Sequence, residues 1–157
     1  MSSFDAGVVP MPAPGEKEIQ PLDSGARSIL RGTSRYFESL GAASLSEFTL
    51  KNGRRADLIA LFPDGKVTIV EIKSSVADFR ADQKWHHYLE YCDRFCFAVA
   101  ENFPTEILPS EPGVLIADAF EAVELRPSPW SPMNAARRKA LTLRFALSAA
   151  LRLQREE

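Results

Sequence analysis

Asp57, Glu71 and Lys73 are the residues of this chain whose types and spacing could do chemistry. They stand in RRADLIALFPDGKVTIVEIKSS, from Arg54 to Ser75, among Leu58, Ile59, Leu61, Val67, Ile69, Val70 and Ile72. Charges in such apolar company are costly unless paired or bound to a metal. Residues two apart on a strand share a face, so Glu71 and Lys73 project together. Pro63-Asp64-Gly65-Lys66 reads as a turn, and if the strands on either side pair about it, Asp57 comes to lie beside both. Two carboxylates in contact repel unless a proton or a cation sits between them. Magnesium, or manganese in its place, is the natural occupant, because it takes hard oxygen ligands and keeps several waters. Such an ion polarises a phosphoryl oxygen and acidifies a bound water. Lys73 would then orient or deprotonate that water, or offset charge on the phosphate. The competing reading is a structural ion-pair cluster at a sheet edge, an expensive arrangement to keep for stability alone.

The elements that must position these residues follow from the pattern around them. Asp23 or Ser24 is a candidate N-cap for a helix running to about Leu40 and stopped by Gly41. Its apolar side carries Ala26, Ile29, Leu30, Tyr36, Phe37 and Leu40, and Arg27, Arg31, Arg35 and Glu38 fall on the other. Strands are expected at 45–50, 54–62 and 67–73, joined by Lys51-Asn52-Gly53 and by the proline turn, as an antiparallel meander. Ser75 and Asp78 form a capping-box-like pair opening a helix expected to run from about Val76 to Tyr91. RFCFAVA, 94–100, is apolar enough for a strand covered on both faces, placed by a crossover parallel to the third. A helical turn at 105–108, a short strand at 114–117, an edge strand within 119–125 and a last helix from about Met133 to Arg155 complete the order. The fold class expected is α/β, a central mixed sheet flanked by helices. Residues 1–22, proline-bearing and poor in large apolar side chains, read as a flexible tail before one domain spanning 23–157.

The bulk numbers narrow the classes. At 157 residues, 45% hydrophobic and 25% charged, the composition is that of an ordinary globular domain. No apolar run approaches the roughly 20 residues of a membrane span, and no secretory signal pattern opens the sequence. Two cysteines, Cys92 and Cys96, make no disulfide framework, which fits a reducing cytoplasm. A net charge of −2 argues against a uniformly basic nucleic-acid coat and leaves room for a local basic groove. Arg137, Arg144, Arg152 and Arg155 form one stripe of the last helix, opposite Leu143, Leu147 and Leu151, and Arg27, Arg31 and Arg35 form another on the first. Arg54 and Arg55 sit at the mouth of the proposed site and are the favoured phosphate contacts. His86, His87, Cys92 and Cys96 match no zinc-site spacing and read as packing residues. Glu38, on the arginine side of its helix, and Glu47, on the first strand, read as outsiders to the acid pair.

Asp57 followed by Glu71-Ile72-Lys73 resembles the D…ExK signature of the PD-(D/E)xK nuclease superfamily, with Ala56 where many relatives carry proline. GRRADLIAL, VEIKSSVADFRADQKW and YLEYCDRFCFAV resemble a small branch of it, the bacterial MmcB-type DNA repair proteins. The resemblance implies a restriction-endonuclease-like core and a repair protein that hydrolyses DNA phosphodiester bonds with magnesium or manganese. It implies Asp57, Glu71 and the Ile72 carbonyl as metal ligands and Lys73 as catalytic. Gln83 would be a polar residue pointing at the site from the following helix, and Lys84 would lie beside DNA. A catalytically silent DNA-binding repair factor with the same fold is the alternative. Resolvase-like relatives act as dimers, which leaves a homodimer open, though no stretch of the sequence marks an interface.

Overall fold

A computed structural model describes residues 23–156, so the expected tail, 1–22, lies outside the described residues. Helix α1 spans Ser24–Ser39, and strands β1 Ala43–Thr49, β2 Arg55–Leu61 and β3 Val67–Lys73 follow it. Helix α2, Val76–Ala81, and a 3-10 segment, Trp85–Tyr91, lead to β4, Arg94–Val99. A 3-10 turn at Thr105–Ile107 precedes β5, Gly113–Ala117, and β6, Ala122–Arg126, before α3, Ala135–Glu156. The six strands form one sheet in sequence order. β1, β2 and β3 are the expected antiparallel meander, β4 and β5 run parallel to β3, and β6 returns antiparallel as an edge. The α/β class and the mixed sheet expected from the pattern are those observed.

Local chemistry explains the boundaries near the site. Asp23 caps α1, its Oδ1 accepting from the Ala26 N–H at 2.7 Å, and Gly41 ends it with φ of +84°, a conformation only glycine adopts freely. The other oxygen of Asp23 accepts from the Ser74 hydroxyl at 3.1 Å, which ties the start of α1 to the end of β3. Ser75 caps α2 through the Asp78 N–H at 3.0 Å. The sheet is buried on both faces around β3, every residue of which is buried. On one face α1 packs Ala26, Ile29 and Phe37 onto Leu58, Val70, Ile72 and Ala98. On the other, Phe79, the 3-10 segment and the first turns of α3 cover Ile59, Ile69, Phe95 and Phe97. Each large aliphatic or aromatic residue so buried contributes roughly 1.5–3 kcal/mol.

The single helix expected over 76–91 is in fact two pieces. Asp82 is extended, with φ of −139° and ψ of 106°, and breaks it. The reason lies in the spacing of the residues that must reach the core: Trp85, Tyr88 and Tyr91 are all buried and fall every third residue. A 3-10 helix eclipses side chains at that spacing, whereas an α-helix would rotate them off the line. Trp85 and Tyr88 both stack on Phe95, and the Tyr88 hydroxyl donates to the Arg55 carbonyl at 2.9 Å.

α3 is held by a buried anchor that the sequence does not advertise. Asp93, 1% exposed, accepts from the backbone N–H groups of Val67 and Met133, each at 2.8 Å, and from both terminal nitrogens of Arg138. Burial pushes its carboxyl up. The guanidinium and the two backbone donors outweigh that and hold it below the ordinary carboxylate range.

Candidate functional site

Asp57 and Glu71 meet where the β2–β3 ladder stops. The last paired residues are Leu58 and Val70, so Asp57 is the next position opposite Glu71. There the side chains take over from the backbone. The Ile72 N–H donates to Asp57 Oδ2 at 2.8 Å, and the Asp57 N–H donates to Glu71 Oε1 at 3.3 Å. Glu71 shares its sheet face with Val67, Ile69 and Lys73, and β4 sets Phe97 beside it and Val99 beside Lys73. Glu71 is 2% exposed and Lys73 3%, whereas Asp57 is half-buried. The Lys73 ammonium donates to the carbonyl of Asp82 at 3.5 Å, so the break after α2 folds over the site. The expected juxtaposition of Asp57, Glu71 and Lys73 is therefore present.

Two carboxylates on adjoining strands are the groups here that could hold a hard divalent cation; the Ile72 group shown facing Asp57 is its N–H, a hydrogen-bond donor and no ligand. Among the described residues no group of three His, Cys, Asp or Glu side chains could hold a metal ion. The zinc set is dispersed in any case. Cys92 belongs to the core on the α3 face and Cys96 to that under α1, and burial pushes the Cys92 thiol up to about 12 and Cys96 higher.

The remaining expected residues divide. Gln83 and Lys84 are exposed and lie in the break, not on a helix, because Asp82 interrupts it. Arg54 and Arg55 are half-buried at the start of β2, and Arg55 shares the face of Asp57 two residues on. Glu38 is exposed in the last turn of α1, whose first turn is the end tied to β3, which removes it from the site.

Two features escape the sequence reading. β1 pairs Ser46 with Leu58 and Phe48 with Ala56, which leaves Glu47 at the register position opposite Asp57. Its φ of +48° is a left-handed conformation uncommon outside glycine, and it is exposed. Counting outward from Asn52 along the hairpin would have found it. The second is a groove of about 500 Å³ between α1 and β1, lined by Arg27, Arg31, Arg35 and Arg152 with Ser34 and Ser44, and by no acid. The three α1 arginines are separated by one helical turn each, about 6 Å, and Arg152 reaches them from α3 by donating to the Glu47 carbonyl at 3.1 Å.

Fold and site thus describe an α/β protein with an acid–acid–lysine cluster at the C-terminal end of a central strand and an arginine groove along its edge. The family model for MmcB-like DNA repair proteins matches residues 18–157, and the chain belongs to that family. A solved structure of a protein of unknown function from Silicibacter pomeroyi is similar at a TM-score of 0.81 and 45% identity, over 83% of this chain and 90% of that one. No curated protein matches the sequence. No described helix is long and apolar enough to cross a membrane.

Proposed function

We propose that this protein acts in DNA repair as a metal-dependent nuclease of the PD-(D/E)xK type, hydrolysing DNA phosphodiester bonds. The observation that carries this reading is the placement of Asp57 opposite Glu71 where the ladder ends, with Lys73 buried on the same face. Asp57, Glu71 and the Ile72 carbonyl would hold magnesium or manganese, which when bound supplies charge to the phosphate and an acidified water. Lys73 would sit beside the reacting phosphate and orient or accept a proton from the attacking water. Its present hydrogen bond to the Asp82 carbonyl would be exchanged for that role. The α1 groove, with four guanidiniums and no acid, suits a phosphate backbone, and Arg54 and Arg55 would hold the strand nearer the carboxylates. Lys84 would add a contact from the exposed break.

A second reading, a DNA-binding repair factor that does not turn over, is favoured by one observation. Glu71 and Lys73 are almost wholly covered, and the Asp82 backbone lies across the lysine. The assay that separates them incubates branched, flapped and linear DNA with purified protein in magnesium, beside Asp57→Asn and Lys73→Ala. Cleavage lost in both variants supports the nuclease. Cleavage that survives both removes the assignment, and salt-sensitive binding without cleavage of any substrate selects the accessory factor.

A further inference from the structure

α1 covers only part of the sheet face it packs on. It starts beside Ser74, at the end of β3, and its last turns bring Phe37 against Phe62, just before the β2–β3 turn. Beyond that contact the same face carries a cavity of about 240 Å³. Tyr36, Phe37 and Phe62 line it with aromatic rings set edge to face. Thr68 reaches it from the sheet, because it alternates with Val67 and Ile69 and shares the α1 side with Val70 and Ile72. Thr68 is 7% exposed, yet its hydroxyl has no hydrogen-bond partner among the described residues. Every sealed side-chain oxygen or nitrogen among them does have one, so the Thr68 oxygen is left reachable from the cavity. At the mouth Trp130, 45% exposed, holds the Lys66 ammonium 5.4 Å and the Arg94 guanidinium 5.6 Å from its ring centroid. Lys66 is paired with Asp64, whereas Arg94 has no carboxylate within ion-pair distance among the described residues. Glu124, the other acid of the cavity, stands two strands from Arg94, roughly 10 Å across the sheet.

We propose that this cavity binds a single unpaired nucleotide, its base between the aromatic walls and its phosphate on Arg94 at the mouth. Each part of the ligand answers one feature. The rings offer faces and edges to a planar heterocycle. The Thr68 hydroxyl donates or accepts, which suits the polar edge of a base and is wasted on a hydrocarbon ring. The guanidinium presents a fork of N–H donors to a phosphate. Size limits the guest: the volume falls below the roughly 300–1,000 Å³ of drug-sized sites, so it admits one ring and leaves sugar and phosphate at the rim. The site is separate from the carboxylates. Thr68 precedes Lys73 by five residues of β3, about 17 Å, and faces the other side of the sheet. The proposal therefore does not rest on the nuclease reading.

Titration calorimetry of the full chain with each deoxynucleoside monophosphate, beside the nucleosides, inorganic phosphate and benzoate, tests this. The expected result is a dissociation constant below about 1 mM for at least one mononucleotide, with every control at least ~10-fold weaker. Thr68→Val keeps the shape of the side chain, removes the hydroxyl and should weaken binding roughly 3–10-fold. Arg94→Gln, at an exposed position, should weaken it by about 10-fold or more and serves should Thr68→Val fail to fold. Asp57→Asn should bind as the parent does, so that loss of cleavage and loss of this site are read apart. Competition by a single-stranded oligonucleotide but not by a duplex would support the proposal with the nucleotide as part of a DNA chain. Competition by neither would support it with a free mononucleotide. Absence of binding by all four mononucleotides up to about 10 mM overturns the proposal. So does benzoate or phosphate binding as tightly as a nucleotide, or binding indifferent to both cavity variants.

Discussion

α1 and α3 carry the same ingredients, a row of arginines and a row of large apolar residues, and the fold mounts them in opposite senses. α1 buries Ile29 and Phe37 against the sheet and turns Arg27, Arg31 and Arg35 to solvent. α3 buries Leu141 and Phe145 in its first half, lays Arg144 and Arg152 on the edge of β1, and leaves Leu143, Leu147, Leu151 and Leu153 outside. The difference follows from what each helix meets. α1 meets a sheet face of mainly apolar side chains, among them Leu58, Val70 and Ile72, with Ser44 answered by Ser34, whereas α3 passes along a sheet edge whose outward carbonyls need donors. Arginine, with a long stem and five N–H groups, serves an edge, and leucine does not. The edge strand is thereby shielded, and one row of arginines is turned toward a groove that four guanidiniums share.

The largest effect is expected at the anchor of α3. Asp93→Ala strips two backbone N–H groups and Arg138 of their partner, and a loss of about 3–5 kcal/mol in denaturant unfolding is expected. Without substitution, the same anchor makes a pH prediction. Its carboxyl is depressed in the folded protein, so the stability it contributes is present above the ordinary aspartate pKa of about 3.9 and is lost as pH falls below it. Acid unfolding of Asp93→Asn should be correspondingly flatter in that range.

The next effect contrasts the two apolar rows directly. Ile29→Ala should cost about 2–5 kcal/mol, as for a buried aliphatic residue. Leu147→Ala should stay within roughly 0.5 kcal/mol of the parent. Equal losses would mean that the leucine row is packed and the inversion is wrong. Replacing Arg27, Arg31 and Arg35 by glutamine should leave stability nearly unchanged and lower the salt slope of DNA affinity by up to about 2.7 for three lost phosphate contacts. An unaltered slope would separate the groove from DNA. The smallest expected change is Arg144→Ala, about 1 kcal/mol or less for an exposed hydrogen bond to the β1 edge.

Much of the site was legible in the residues because it depends on short-range register. The proline turn sets β2 against β3, strand alternation puts Glu71 and Lys73 on one face, and the count across the turn brings Asp57 opposite Glu71. The caps at Asp23 and Ser75 are equally local. The break over 82–84 is not legible in the residues, because the pattern of large side chains fits an α-helix loosely and a 3-10 segment better, and only the Phe95 surface distinguishes them. The place of Glu47 opposite Asp57 is a count from the Asn52 turn, but its left-handed backbone depends on the strand geometry around it.

By itself the sequence determined the order of the elements, the meander, the parallel fourth strand and the meeting of Asp57 with Glu71 and Lys73, all matters of periodicity and turn chemistry. Only the tertiary structure decided which side of α3 faces inward and what Asp93 is for. Both depend on contacts between residues more than forty positions apart, such as Arg138 with Asp93 and Arg144 with Thr49. An amphipathic pattern states that a helix has two different faces. Which face is buried is settled by the surface the helix lands on, and here that surface is a row of edge carbonyls.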